Sequence, residues 1–195
     1  MFIRICGGLI FTPYKTVRTE SISVNYSFAL IVGLLSFFYF VLAKATMYQV
    51  IWGTGVALGL FFYSVYMFAL LPGEGAIQDR VKRYYSTWSL TYIPTLIWFY
   101  TSFFLFMNFP PPRSQSVAGT LLSILFLAFS LSLLTWKVIL VYLSIRFSSR
   151  VQLYRVLYYI FLYLAVSIPL WVLFYNLRIF RIPFVWMIWS VDADI

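Results

Sequence analysis

Few side chains in this 195-residue chain have the chemistry to make or break a bond. There is no His, one Cys (Cys6), and five acids: Glu20, Glu74, Asp79, Asp192 and Asp194. Without imidazole there is no base poised near neutral pH to activate a nucleophile, and no His-ligated metal or haem. A single Cys excludes an internal disulfide, a CxxC pair and a Cys-based zinc site, so Cys6 reads as a reduced thiol near the cytosol. The inventory predicts no catalytic, cofactor-binding or metal-binding site, and a protein that is not an enzyme.

Three groups of residues are candidates for contact rather than catalysis. Lys137 lies inside or at the edge of an uncharged stretch, with apolar residues running on to Ile145 before Arg146 restores charge. If its helix ends near Trp136 the ammonium snorkels to headgroups; if the helix reaches residue 145, Lys137 sits about 13 Å deeper than Arg146. Snorkelling is the expectation, and either position makes Lys137 a candidate contact for a lipid or partner anion. The second group is Asp79, Arg80, Lys82 and Arg83 in PGEGAIQDRVKRYY, the only polar stretch of any size. Asp79 and Arg83 have the i,i+4 spacing of an ion pair on a short surface helix, and the segment is either a solvated loop or a docking surface for a cytosolic partner. The third is Gly53, Gly55 and Gly59, whose Gly-x-x-x-Gly spacing permits close helix approach, inside the chain or at a subunit interface. No strand precedes these glycines, so they are not a dinucleotide fingerprint.

The elements that carry these residues follow from composition. The chain is 63% hydrophobic and 10% charged, against roughly 45–50% and about 25% in soluble domains. A fold of this size cannot hide so many apolar groups from water, which places them in lipid. Residues 21–43, 45–73, 84–112, 114–136 and 156–177 are free of Asp, Glu, Lys and Arg. A helix needs roughly 20 apolar residues to cross a hydrocarbon core of about 30 Å, so each run is long enough. The runs do not alternate as barrel strands would, and lipid offers no partner to an open backbone, which leaves helices. The expected fold is all-α: a polytopic five-helix transmembrane bundle with spans near 26–43, 47–71, 86–108, 117–143 and 156–177. A short interfacial segment, 1–25, precedes it, and an outer interfacial tail, 178–195, follows.

Charge sets the orientation. Arg4, Lys15, Arg18, Arg80, Lys82, Arg83, Arg146, Arg150 and Arg155 fall on one side; Lys44, Arg113, Arg178 and Arg181 fall on the other. The richer side is the cytoplasmic one, so the N-terminus is predicted inside and the C-terminus outside. The net charge of +9 then belongs to headgroup contacts at helix ends rather than to nucleic acid. The N-terminal stretch has no small-x-small cleavage site and no lipoprotein pattern at Cys6; Pro13 opens a helical turn in it. Pro110 to Pro112 stiffen the outer connection, and Pro94 and Pro169 should kink the third and fifth spans. Thr120, Ser123, Ser130, Ser132 and Thr135 suggest a packed face on the fourth span, and the aromatic surplus suggests contact with lipid or neighbours.

The TPYKTVR segment before the first span, YSTWSLTYIP entering the third, and TWKVILVYLSIRFSS leading to the fifth resemble the Yip family of Rab-GTPase-interacting membrane proteins in its compact bacterial form, over most of residues 8–177. The resemblance implies a non-catalytic, multi-pass protein of the bacterial cytoplasmic membrane that acts through membrane partners, some relatives accompanying ABC exporters. An accessory or assembly subunit is therefore expected, with membrane lipids and other integral membrane subunits as partners. The alternative is a transporter or lipid-moving protein working through its own spans.

Overall fold

The two-residue turn at Thr91 and Tyr92 divides what composition presents as one span. Pro94 has no N–H to donate, and its ring would strike the carbonyl of Leu90 in a continuous helix. The chain therefore closes one helix with tight i to i+3 bonds, Thr91 N–H to Trp88 O and Tyr92 N–H to Ser89 O, and starts another at Ile93. In the computed structural model, residues 2–23, 26–42, 47–109 and 117–176 are described. They form eight helices: α1 Phe2–Phe11, α2 Pro13–Ser23, α3 Tyr26–Leu42, α4 Met47–Leu70, α5 Ile77–Leu90, α6 Ile93–Asn108, α7 Val117–Ser149 and α8 Leu153–Asn176. The fold is all-α among the described residues.

The boundaries of α3, α4 and α8 match the predicted spans to within a few residues. Two predictions need correction. The stretch predicted as the third span is two helices, and the first continues the polar connection, so Pro94 stands in the first turn of α6 rather than kinking a single rod. The fourth span runs on to Ser149, past Arg146, because nothing in its sequence breaks the helix before Arg150 adopts a positive φ of 53°. The expected turn at Pro110 to Pro112 and the tail 178–195 lie outside the described residues.

The chain divides into two units, Met1–Val156 and Leu157–Ile195, with the boundary inside α8. In the first, α5 packs against α2, α3, α4 and α7. Every residue from Ser86 to Thr91 is buried. The small hydroxyls allow this, since Ser89 donates to Ser86 O and Thr91 to Trp88 O, leaving no polar atom of either side chain wanting. Ile5, Leu9 and Val17 from the N-terminal helices join Leu90, Ile93, Leu140 and Leu143 in one core. Rings zip the helix pairs: Phe68 packs on Tyr84 and Trp88 between α4 and α5, Tyr39 stacks on Phe99 at 4.9 Å between α3 and α6, and Tyr14 meets Phe147 edge-on between α2 and α7. Part of the aromatic surplus is thus internal.

Two helices, Val117–Ser149 and Leu153–Leu170, are long and apolar enough to cross a membrane, and shorter apolar stretches occupy Ala29–Tyr39 and Thr54–Leu70. The 33 residues of α7 span about 50 Å. Along its first two thirds most side chains are bare, Leu121, Ile124, Leu125, Leu127, Leu131 and Leu134 among them, and its last third is packed. The hydroxyls expected to pack on neighbours mostly turn back instead: Ser123, Ser132 and Thr135 donate to the carbonyls four residues earlier. Ser130 differs, accepting from Trp98 Nε1 at 2.9 Å as well as donating to Phe126 O.

In the second unit the described residues, 157–176, are the greater part of α8. Pro169 lies in the helix interior, as the sequence predicts. Leu157, Phe161, Leu164, Ile168 and Val172 are exposed along it.

Candidate functional site

The polar chemistry of the first unit gathers where α5 crosses the last turns of α7. Arg80, Arg83, Tyr84 and Thr87 share one face of α5, and Ser144, Ser148 and Ser149 present the matching face of α7. Thr87 Oγ1 donates to Arg83 O at 3.0 Å and lies 2.8 Å from Ser144 Oγ and 2.7 Å from Ser148 Oγ, which fills its one donor and both acceptor positions. Tyr84 Oη and Ser149 Oγ are 2.6 Å apart. These hydroxyl pairs join the two helices.

The arginines of the predicted docking surface face this junction. Arg83 donates from Nε to Ser148 O at 2.9 Å and from Nη2 to Glu74 O at 2.8 Å, satisfying carbonyls at the end of α7 and in the 71–76 loop. Arg80, 7% exposed, donates from Nη1 to Gly73 O at 2.7 Å. Asp79 and Lys82 stay exposed. The anticipated Asp79–Arg83 ion pair is replaced by these backbone contacts, with Asp79 acting on Arg83 only as a nearby charge. Desolvation first, then the charges of Arg150 and Arg80, pull the Arg83 guanidinium below its ordinary pKa, while Asp79 and Tyr84 pull it up.

Glycine makes the junction possible at two places. A Cβ on Gly73 would stand 2.9 Å from Ser149 O, and Gly75 turns the loop at φ 88°. Glu74 N–H donates to Ser149 O, closing the loop onto α7.

Lys137 points to the α5–α6 break. Its Nζ donates to Thr95 Oγ1 at 2.8 Å and lies 5.9 Å from the centre of the Tyr92 ring. The snorkelling expectation therefore gives way to an inward contact, because α7 continues for twelve residues beyond Lys137 and a hydroxyl and an aromatic face lie closer than the helix end. On α4, nothing lies within 4 Å of a Cβ built at Gly55 or Gly59, whereas a Cβ built at Gly33 on α3 would stand 3.8 Å from Leu58 Cδ2 of α4. The side-chain surroundings of Gly53 lie outside the described residues. Nearby, a cavity of about 30 Å³ lined by Gly33, Ser36, Ala57, Phe61, Tyr85 and Tyr92 is room for about one water. Half-buried Cys6 has its thiol pKa raised by burial, which keeps it a weak nucleophile.

Sequence reasoning missed Ser144, Ser148, Ser149, Arg150, Thr95 and Tyr92. The i,i+4 serines at 144 and 148 were the available signal for the first set, facing the Arg80, Arg83, Thr87 register of α5. No local pattern pairs Lys137 with residues some forty positions earlier. No protein-family model matches the chain, and no curated protein or solved structure matches it either.

Proposed function

We propose that the chain is a non-catalytic integral membrane protein that serves as an accessory or assembly subunit of a membrane complex. The bare stretch of α7 carries the reading: an 18-residue apolar window with none of its residues buried inside the chain needs lipid or another protein's helices around it. In this reading α3, α4, residues 86–108 of α5–α6, α7 and α8 make five crossings, with the N-terminus in the cytoplasm and the C-terminus outside. The resemblance to compact bacterial Yip proteins adds an ABC-type transporter as one class of partner. Gly55 and Gly59, open to an approaching helix, are the proposed partner contact on α4.

A second reading, a transporter or lipid-moving protein, draws on one observation: Lys137 stands beside a broken helix, with no acid in any apolar stretch to balance it.

Extraction in mild detergent followed by native mass spectrometry separates the two. A stoichiometric membrane partner supports the subunit, and a lone chain that moves substrate in liposomes overturns it. In a Cys6→Ser background, cysteine introduced at Ser114 is expected to react from outside and cysteine at Gln78 is not; the reverse pattern would invert the proposed orientation.

A further inference from the structure

The α5–α7 junction carries more positive charge than its own chain balances. Arg80 is buried, its Nε has no hydrogen-bond partner, and its guanidinium's one hydrogen bond among the described residues goes to a neutral carbonyl. Among the described residues Arg83 Nη1 has no acceptor, after Nε and Nη2 bond Ser148 O and Glu74 O. Arg150 is exposed, its side chain makes no hydrogen bond among the described residues, and its charge opposes that of Arg83. Against three guanidiniums, Asp79 is the acid among the described residues whose charge acts on Arg83, and Glu74 contributes its backbone there. Arg150 also holds φ at 53°, a conformation that favours glycine, so this charge is kept at a backbone cost.

The geometry points to an anion site here: Arg83 and Arg150 grip a phosphate group from the open side while the buried charge of Arg80 supports it from below. A guanidinium presents paired N–H donors that match phosphate oxygens, and a desolvated one gains most from a fixed negative partner. The inference rests on the membrane placement proposed above, because the junction lies at the helix ends where lipid phosphates are found; an anionic lipid headgroup and free phosphate share the chemistry required.

The test uses the full chain in nanodiscs of phosphatidylcholine with and without phosphatidylglycerol, read by native mass spectrometry for retained lipid. Arg150→Gly is the informative variant, since it deletes the guanidinium and relaxes the backbone at that position. The site predicts at least about a fivefold loss of retained phosphatidylglycerol in this variant, restored in part by Arg150→Lys and untouched by Arg146→Gln. A second arm titrates inorganic phosphate in phosphatidylcholine discs: saturable binding that Arg150→Gly removes supports the site with free phosphate as its source. Equal retention by Arg150→Gly and the parent chain, without phosphate binding, overturns the site, as does an equal loss in Arg146→Gln, which would mark diffuse surface charge. Failure to enter nanodiscs would sink the membrane placement instead, and phosphate titration of the protein in solution would then still decide the anion site.

Discussion

Thr87 shows how one hydroxyl can organise a helix junction. Its single donor and two acceptor positions are filled by Arg83 O, Ser144 and Ser148. Thr87→Val keeps the shape and strands the two serine hydroxyls in a buried site, at a cost of about 1–3 kcal/mol. Thermal unfolding in detergent should show a lowered Tm, and an unchanged Tm would mean the serines turn to their own backbone at no cost. Glu20 makes a different prediction. It is 7% exposed, its Oε2 has no partner, and burial raises its pKa above the ordinary 4.5. Below 4.5 folded and unfolded chains both hold the proton. Between 4.5 and the raised native value only the unfolded chain has released it, so stability falls as pH rises through that window. The parent chain should therefore lose Tm relative to Glu20→Gln as pH rises above about 4.5. Parallel pH profiles would refute the burial argument.

Helices α4 and α5 differ in what their surfaces meet, and sequence distinguished them only in part. Long uncharged runs made α3, α4 and α8 readable, because hydrophobic length fixes a helix there, and in α8 it carries the helix through Pro169. The α5–α6 break was not, since a proline inside an apolar run permits either a kink or a stop, and the choice here is made by burial of Leu90 and Ile93 on either side. Likewise Arg80 and Arg83 read as solvent-facing because the run is polar, whereas tertiary packing supplies carbonyls that only the folded junction brings near. The glycines of α4 allow a test of what their helix meets. Gly59 is exposed with open space around it, so Gly59→Ala should stabilise the helix by about 0.5–1 kcal/mol. Gly59→Leu should also fold, yet reduce co-purification of a membrane partner; full retention of the partner by that variant would remove α4 from the interface.

The molecule as a whole is defined by apolar surface that it does not cover. A water-soluble protein and a membrane subunit respond in opposite ways to a charge placed on such a surface, so substitution on α7 decides which solvent this chain inhabits. Leu127 is 60% exposed in the bare stretch of the helix, ten residues after its start. In lipid, replacing Leu by Lys near the middle of a span changes the insertion free energy by about 3–4 kcal/mol in the unfavourable direction. In water the same change removes an exposed apolar group and leaves folding nearly untouched. Ile77→Lys is the control, since Ile77 is 51% exposed at the polar start of α5, where neither solvent penalises a cation. Leu127→Lys should therefore drop the membrane-integrated fraction by an order of magnitude or more in a carbonate-extraction assay while Ile77→Lys matches the parent chain. If Leu127→Lys instead yields more soluble, folded protein, the bare face of α7 belongs to water or to a soluble partner, and the five-crossing reading falls with it.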